Sequence, residues 1–137
     1  MKRSSLVFFK ILLHVFLPLL VGFFIYVFYR PNVWISKQFN INSISYAEIS
    51  NYSLLKRWFI FSVPDLCWSY SFASLIFILN HLIKFSSHTI VFIVVLIIVA
   101  ASELIQLFLK PNFTFSFSDL VTVMVACSLS AYLNKRI

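Results

Sequence analysis

The sequence predicts an all-α integral membrane protein, a bundle of four transmembrane helices built as a single domain over residues 1–137. The first observation is composition: 61% of the 137 residues are hydrophobic and 11% are charged, whereas soluble domains average about 25% charged residues. The second is a mean hydropathy of +0.96. The third is the concentration of apolar residues in four runs, each near the length of about 20 residues that crosses a bilayer as a helix.

The four runs define the predicted spans. Lys2 and Arg3 precede the first run as in a signal peptide. However, the run is too long for a signal peptide and no small-residue cleavage site follows, so we expect it to be retained. The fourth run is short, which a locally thinner bilayer would accommodate. The predicted spans are residues 6–29, 63–80, 88–109 and 119–133, with an extramembrane loop at about 30–62.

Helix-start signals predict several boundaries. Ser62-Val63-Pro64-Asp65 offers an N-cap hydroxyl, a proline in the first turn and a carboxylate three residues after the cap, which predicts the start of the second span. Ser118-Asp119 predicts a similar start for the fourth. Within the loop, Ser45-Tyr46-Ala47-Glu48 is a capping box that predicts a short interfacial helix over residues 49–58. That helix would end in Lys56-Arg57-Trp58, a basic and aromatic group suited to the headgroup zone.

Four spans bring every carboxylate of the chain to one membrane face. We call the face that carries the N terminus side A and the opposite face side B. The second and fourth spans begin at side B, and the third span ends there. The acids that lie toward side B are therefore Glu48, Asp65, Glu103 and Asp119.

Glu103 is the least expected of these acids, because it lies about 9 Å inside the predicted end of the third span. Gln106 follows on the same helical face. An ionisable group within a span costs about 2.5–3.5 kcal/mol at the bilayer centre and so faces the bundle interior or a water-filled cavity. We expect Glu103 to face inward, either as a structural hydrogen-bond or ion-pair partner or as a ligand contact. Asp65 and Asp119 have a second explanation, as first-turn acids favoured by the helix dipole.

The candidate site is thus a polar pocket at side B, without a catalytic residue, metal or cofactor. The fourth span adds a stripe of small residues at i+4 spacing, Thr122, Ala126 and Ser130, which predicts a close helix-packing face. Cys67 and Cys127 fall inside apolar runs and are predicted to be small packing residues. The predicted pocket residues are Asp65, Trp68, Glu103, Gln106, Lys110 and Asp119.

Basic residues indicate orientation and partner class. Those of side A lie in shorter segments than those of side B, so the positive-inside rule favours a cytoplasmic side A and cytoplasmic termini. The net charge of +7 comes without a basic run or a nucleic-acid motif, so the expected partner is membrane lipid, with a protein partner or a homo-oligomer also open. Side A carries Lys2, Arg3, Lys10, Lys84, Lys135 and Arg136; side B carries Arg30, Lys37, Lys56, Arg57 and Lys110.

The stretch SELIQLFLKPNFTFSFSDL resembles the signature region of VanZ-like membrane proteins. Those proteins have Glu-x-x-Gln near the end of one span, a short loop and an aspartate that opens the last span, as in Glu103, Gln106 and Asp119. The upstream stretch VPDLCWSYSFASLIF resembles the Pro-Asp-x-x-Trp entry of small relatives. Together they cover about residues 64–133.

The chain also departs from the VanZ-like pattern at several positions. Ala126 and Ser130 stand where the family often has glycines, Lys110 is the loop's cation where an arginine is common, and Val123 stands near the family's asparagine. The resemblance implies a role in the bacterial cell envelope, at the cytoplasmic membrane, and in low-level glycopeptide resistance.

Three functions fit these residues. The first is a VanZ-like protein whose pocket binds a lipid headgroup or a cell-envelope component. The second is a structural or assembly subunit of a larger membrane complex. The third is a small proton- or solute-coupled transporter, although one glycine and no broken-helix signal disfavour it. An enzyme has the least support, because the sequence contains no nucleophile-elbow, zincin or P-loop pattern.

Overall fold

In a computed structural model of the chain, residues 2–30, 38, 48, 51–105 and 117–135 are described. Four helices are long and apolar enough to cross a membrane, which confirms the all-α, four-span fold of an integral membrane protein. We call them the first to fourth spans in chain order. They are Ser5–Tyr29, Leu54–Ile83, His88–Ile105 and Phe117–Asn134.

The first span contains a π-helical turn. The α-helices Lys2–Ile11 and Leu17–Tyr29 are joined by a π-helix over Leu12–Phe16, in which the Leu17 amide donates to the Leu12 carbonyl. Pro18 follows at once. Proline has no amide hydrogen, and in a regular α-helix its ring would collide with the carbonyl four residues earlier, that of His14. The switch from α-helical to π-helical hydrogen bonds therefore lies in the turn where Pro18 prevents a regular α-helix.

The second span begins earlier than the sequence signals predicted. Its helix runs over Leu54–Ile83, and its N-cap is Ser53, whose hydroxyl accepts the Lys56 amide at 3.4 Å. The predicted start at Ser62 is wrong, because the helix continues through Pro64. Both residues are buried in the bundle, and inside a membrane an unbroken helix satisfies the remaining backbone groups even where proline removes one hydrogen bond.

The separate interfacial helix predicted over residues 49–58 is also not found in the described part of that segment. Asn51 and Tyr52 form a turn, and residues 54–58 are instead the first turns of the second span. The predicted loop over residues 30–62 therefore ends before Leu54. The physical reason is that Lys56-Arg57-Trp58 can anchor in the headgroup zone in either arrangement. These residues do so equally well at the end of an interfacial helix and in the protruding first turns of a spanning helix.

Helix lengths place three carboxylates at similar heights. The 30-residue second span is about 45 Å long, which exceeds the hydrocarbon core of about 30 Å. Measured along the helix axes from the side A ends, Asp65 lies about 27 Å away and Glu103 and Asp119 about 22 Å away. All three therefore lie toward side B, and the turns that precede Phe61 extend beyond them.

The second span is the centre of the bundle. Its contacts with the first and fourth spans are both extensive, and its contact with the third span is smaller. A buried cluster joins Ala73 and Phe77 of the second span to Val95 of the third and to Val123 and Cys127 of the fourth. Cys67 and Cys127 are both buried free thiols, which confirms their prediction as packing residues.

The only glycine of the chain lies where the first and second spans meet. A Cβ atom built on Gly22 would lie 2.9 Å from the Cβ of Cys67 and 3.1 Å from the Trp68 indole. Such distances are too short for a side chain, so the absence of one at position 22 sets how closely these two helices approach. The sequence analysis did not identify this role.

Candidate functional site

An acidic cavity, open to the surface of the bundle, lies between the second and third spans toward side B. Its volume is about 310 Å³, and both Asp65 and Glu103 line it. We call it the acidic cavity. The second span contributes Asp65, Trp68, Ser69 and Phe72, and the third contributes Ile98, Val99, Ser102 and Glu103.

Helical spacing explains why these side chains converge. Asp65, Ser69 and Phe72 follow one another at i+4 and i+3 and so share one face of the second span. On the third span, the buried residues Val91, Val95 and Val99 recur every four residues, and Glu103 is the next member of that series. Glu103 is 8% exposed and lies on the inward face of its helix.

Trp68 forms the wall of the cavity nearest the first span. Its indole lies 5.3 Å from the ring of Tyr26, centroid to centroid, and its edge lies against Gly22. The same tryptophan lines the acidic cavity. The first span therefore supports one wall of the cavity without lining it.

Asp119 lies outside the acidic cavity, so the single pocket predicted from sequence divides into two. Its carboxylate accepts hydrogen bonds from Ser62 at 3.0 Å and from Ser118 at 3.5 Å. It lines a separate hollow of about 340 Å³ between the side B ends of the first, second and fourth spans. Arg30 and Arg57 line the same hollow, which we call the basic hollow.

Two predicted pocket residues, Gln106 and Lys110, lie outside the described residues. The structure also adds lining residues that the sequence analysis missed, namely Ser69 and Ser102 in the acidic cavity and Arg30 in the basic hollow. Ser69 could have been indicated by its i+4 spacing from Asp65, whereas Ser102 directly precedes Glu103 and helical spacing does not indicate it. Arg30 could have been found only as the cation that ends the first apolar run.

An apolar groove lies on the same faces of the second and third spans, nearer side A. Its volume is about 320 Å³. On the second span, Ile76, Leu79 and Ile83 line the groove and lie on the same helix face as Phe72 of the acidic cavity. The interface between these two spans is therefore polar toward side B and apolar toward side A. The groove is lined mainly by Ile76, Leu79, Ile83, Ile90, Val91 and Val94.

A second set of polar side chains is buried in the side A half of the bundle. His14 Nδ1 lies 2.6 Å from the Tyr70 hydroxyl, which joins the π-helical turn of the first span to the second span. The hydroxyls of Ser74 and Ser130 lie 2.9 Å apart, and the Asn134 amide donates to the Ser130 carbonyl at 2.8 Å. A lone histidine within an apolar run predicts a packing or hydrogen-bonding role for His14, and the small-residue stripe predicts Ser130 as a packing residue; the other partners were not predicted from the sequence.

The predicted small-residue stripe lies on the buried face of the fourth span. Thr122, Ala126 and Ser130 are all buried there, and Ser130 bonds to the second span. The Thr122 hydroxyl donates to the Ser118 carbonyl of its own helix at 2.8 Å. Two of the three residues thus carry hydroxyls whose hydrogen-bonding needs are met within the bundle.

Comparison with known proteins does not assign the chain to a family. No protein-family model, no curated protein and no solved structure matches it. The resemblance to VanZ-like proteins therefore stays a prediction. Among the described residues, no group of three or more His, Cys, Asp and Glu side chains could hold a metal ion.

The acidic cavity has the chemistry of a binding site for a polar group. Ionised carboxylates only accept hydrogen bonds, so Asp65 and Glu103 favour ligands that donate them. Ammonium groups and hydroxyls are such donors, and an aromatic wall such as Trp68 attracts a cation further.

Proposed function

We propose that the protein binds a membrane amphiphile whose amine-bearing headgroup occupies the acidic cavity. The observation that carries this proposal is the joint placement of Asp65 and Glu103 on one cavity beside Trp68. Carboxylates within spans are costly and mark ligand or ion sites by default. A ligand that donates hydrogen bonds would offset that cost.

The apolar groove supports an amphiphile over a soluble ligand. It follows the acidic cavity along the same two helix faces and carries almost entirely apolar side chains. A headgroup in the cavity would leave its hydrocarbon chain beside that groove. Ligand sites of this kind combine an apolar lining with a few polar groups that fix orientation.

We further propose that the chain is a divergent VanZ-like protein of the bacterial cytoplasmic membrane, with an envelope lipid or precursor as its ligand. The support is the motif resemblance, in which Pro64, Asp65 and Trp68 match one segment and Glu103 and Asp119 another. The proposed orientation, with both termini cytoplasmic, has its support in the basic residues of side A. Cysteine labelling at position 42, in a variant without the two native cysteines, tests it; labelling only from the cytoplasm would reverse the orientation.

Neutral isosteres of the two carboxylates test the binding proposal. Asp65→Asn and Glu103→Gln keep size but remove the charge that attracts an amine. We expect each variant to insert and fold, yet to bind phosphatidylethanolamine in mixed micelles about tenfold more weakly, the usual scale for one charged hydrogen bond. Phosphatidylglycerol, which lacks the amine, should bind the variants and the wild type alike.

The matched control is Glu48→Gln, the same substitution at an exposed carboxylate outside the cavity. It should leave the binding of phosphatidylethanolamine unchanged. If Asp65→Asn and Glu103→Gln also leave it unchanged, the acidic cavity is not the headgroup site. A stoichiometric protein that co-purifies through this face would instead support the role of a structural or assembly subunit.

Proton coupling is the second candidate function, and the buried polar set at side A favours it. His14 and Tyr70 form a direct contact, and the Tyr70 hydroxyl also lies near that of Ser74, which bonds to Ser130. Chains of such groups carry protons in pumps and transporters. Proton flux into liposomes should then fall with Tyr70→Phe and persist with Tyr132→Phe, an exposed tyrosine of the fourth span; no flux in the wild type would exclude this function.

A further inference from the structure

We propose that the basic hollow is a phosphate-binding site, separate from the acidic cavity. It has a volume of about 340 Å³ and lies where the first span ends and the second and fourth spans begin. Arg30 of the first span and Arg57 of the second both line it. Neither function proposed above involves these two arginines.

The two guanidinium groups form no close ion pair within the part of the chain that the structure describes. Neither Arg30 nor Arg57 forms an ion pair with any residue that the structure describes, although Asp119 lines the same hollow. The Asp119 carboxylate instead accepts hydrogen bonds from the Ser62 and Ser118 hydroxyls. Two guanidiniums and one carboxylate leave the hollow with an excess of positive charge. Asp65 lies on the neighbouring cavity and offsets part of that charge through its electrostatic interaction with Arg30.

Aromatic rings hold Arg30 in position. Its guanidinium carbon lies 5.1 Å from the centroid of the Tyr26 ring and 5.7 Å from that of Phe61. Cation–π contacts of this kind orient a guanidinium without consuming its hydrogen-bond donors. Arg30 is therefore fixed at the hollow with its donors still available to a ligand.

Phosphate is the ligand chemistry that fits these donors. A guanidinium presents planar pairs of N–H groups that match two phosphate oxygens, and such charge-assisted bonds are stronger than neutral ones. The hollow also lies at the headgroup height, because the turns around Arg57 and Trp58 extend beyond the hydrocarbon core. The phosphate of a membrane lipid is the nearest source, and a soluble phosphate is the other.

Removal of one guanidinium at a time tests this site. We measure binding of phosphatidylglycerol, of diacylglycerol with the same chains and of inorganic phosphate to the full chain in detergent. We expect phosphatidylglycerol to bind the wild type, and Arg30→Gln and Arg57→Gln each to weaken binding about tenfold. Diacylglycerol, which lacks the phosphate, should bind much more weakly than phosphatidylglycerol.

Lys56→Gln is the matched control. Lys56 precedes Arg57 on the same helix and is also a cation, but its ammonium lies 3.6 Å from the centroid of the Tyr52 ring and it does not line the hollow. Its substitution should leave phosphatidylglycerol binding within twofold of the wild type. A loss equal to that of Arg57→Gln would show a general effect of surface charge and overturn the site.

The remaining outcomes also decide the question. If inorganic phosphate competes as strongly as the lipid, the basic hollow is still a phosphate site, and its ligand is a soluble phosphate. Equal binding by the wild type and both arginine variants, or by diacylglycerol and phosphatidylglycerol, would overturn it. If Arg30→Gln does not fold because its ring contacts are lost, binding by the Arg57→Gln variant tests the site, because Arg57 is exposed. The acidic cavity is tested with different residues, so either site can fail without the other.

Discussion

The second span forms two very different interfaces, one with the fourth span and one with the third. The interface with the fourth span is closed, and small buried residues such as Ala126 lie along it. The hydroxyls of Ser74 and Ser130 bond to each other across it, and the Ser62 hydroxyl donates to the Asp119 carboxylate. The interface with the third span is open. It contains the acidic cavity toward side B and the apolar groove toward side A.

Side-chain size and hydrogen bonding account for the difference. Small residues let helix backbones approach closely in a membrane, where dispersion contacts and interhelical hydrogen bonds provide much of the attraction. The third span has only branched aliphatic side chains and Glu103 on its buried face. Its larger side chains hold the helices apart and leave room for a ligand. One interface is thus closely packed, and the other leaves open space between its helices.

Ala126→Leu should have the largest effect on stability, because it breaks the closed interface. Ala126 is 0% exposed, so the added carbon atoms must displace neighbouring helices. Overpacking of this kind costs about 1–3 kcal/mol. The unfolding free energy in detergent measures it, with Val125→Leu as the control at a lipid-facing position that is 54% exposed. Equal stability of the two variants would contradict the closed interface.

Gly22→Ala should have the next largest effect and tests whether the first span is packed as closely as the fourth. The new methyl group would lie 2.9 Å from the Cys67 Cβ. Overpacking outweighs the gain of about 1 kcal/mol in helix propensity, so we expect a net loss of about 1 kcal/mol. Trp68 fluorescence should also shift, because its indole contacts this position. The exposed neighbour substitution Val21→Ala should produce neither change, and a stabilised Gly22→Ala variant would refute the close approach.

Ser130→Ala sharpens the comparison by removing one interhelical hydrogen bond. The Ser74 hydroxyl would lose its partner on the fourth span. Double-mutant cycles give such bonds about 0.6 kcal/mol in membranes, so we expect a loss of that size in the unfolding free energy. Ser128→Ala is the control, because the exposed Ser128 hydroxyl bonds only within its own helix, to Met124. If both variants lose the same amount, the bond between the spans contributes nothing.

Ser102→Leu should have the smallest effect on stability, because it fills space in the open interface. Ser102 is exposed, lines the acidic cavity and bonds to the Val99 carbonyl of its own helix. We expect a change in unfolding free energy within about 0.5 kcal/mol, the range of surface substitutions. Binding of phosphatidylethanolamine should nevertheless fall to the level of phosphatidylglycerol, since the leucine side chain would occupy the cavity. A stability loss as large as that of Ala126→Leu would show that this interface is closed as well.

The sequence predicted part of the site because the cost of burying polar groups is a local property. Position near or within apolar runs predicts Asp65 and Glu103 as pocket residues, the VanZ-like resemblance adds Trp68, and the structure places all three on one cavity. The same reasoning grouped Asp119 with them, whereas the structure places it on the basic hollow with Arg30. Sequence spacing gives height along a helix, but it does not give the rotation that decides which neighbour a side chain meets.

Hydropathy by itself determined the all-α fold and the number of spans, because a bilayer requires about 20 apolar residues and full backbone hydrogen bonding in each crossing segment. Only the tertiary structure decided that the second span begins at Leu54, that Ser62 bonds to Asp119, and that the third span stands away from the second. These features depend on how closely neighbouring helices approach one another. That distance is set by side chains far apart in the chain, such as Gly22 against Cys67 and Ser74 against Ser130.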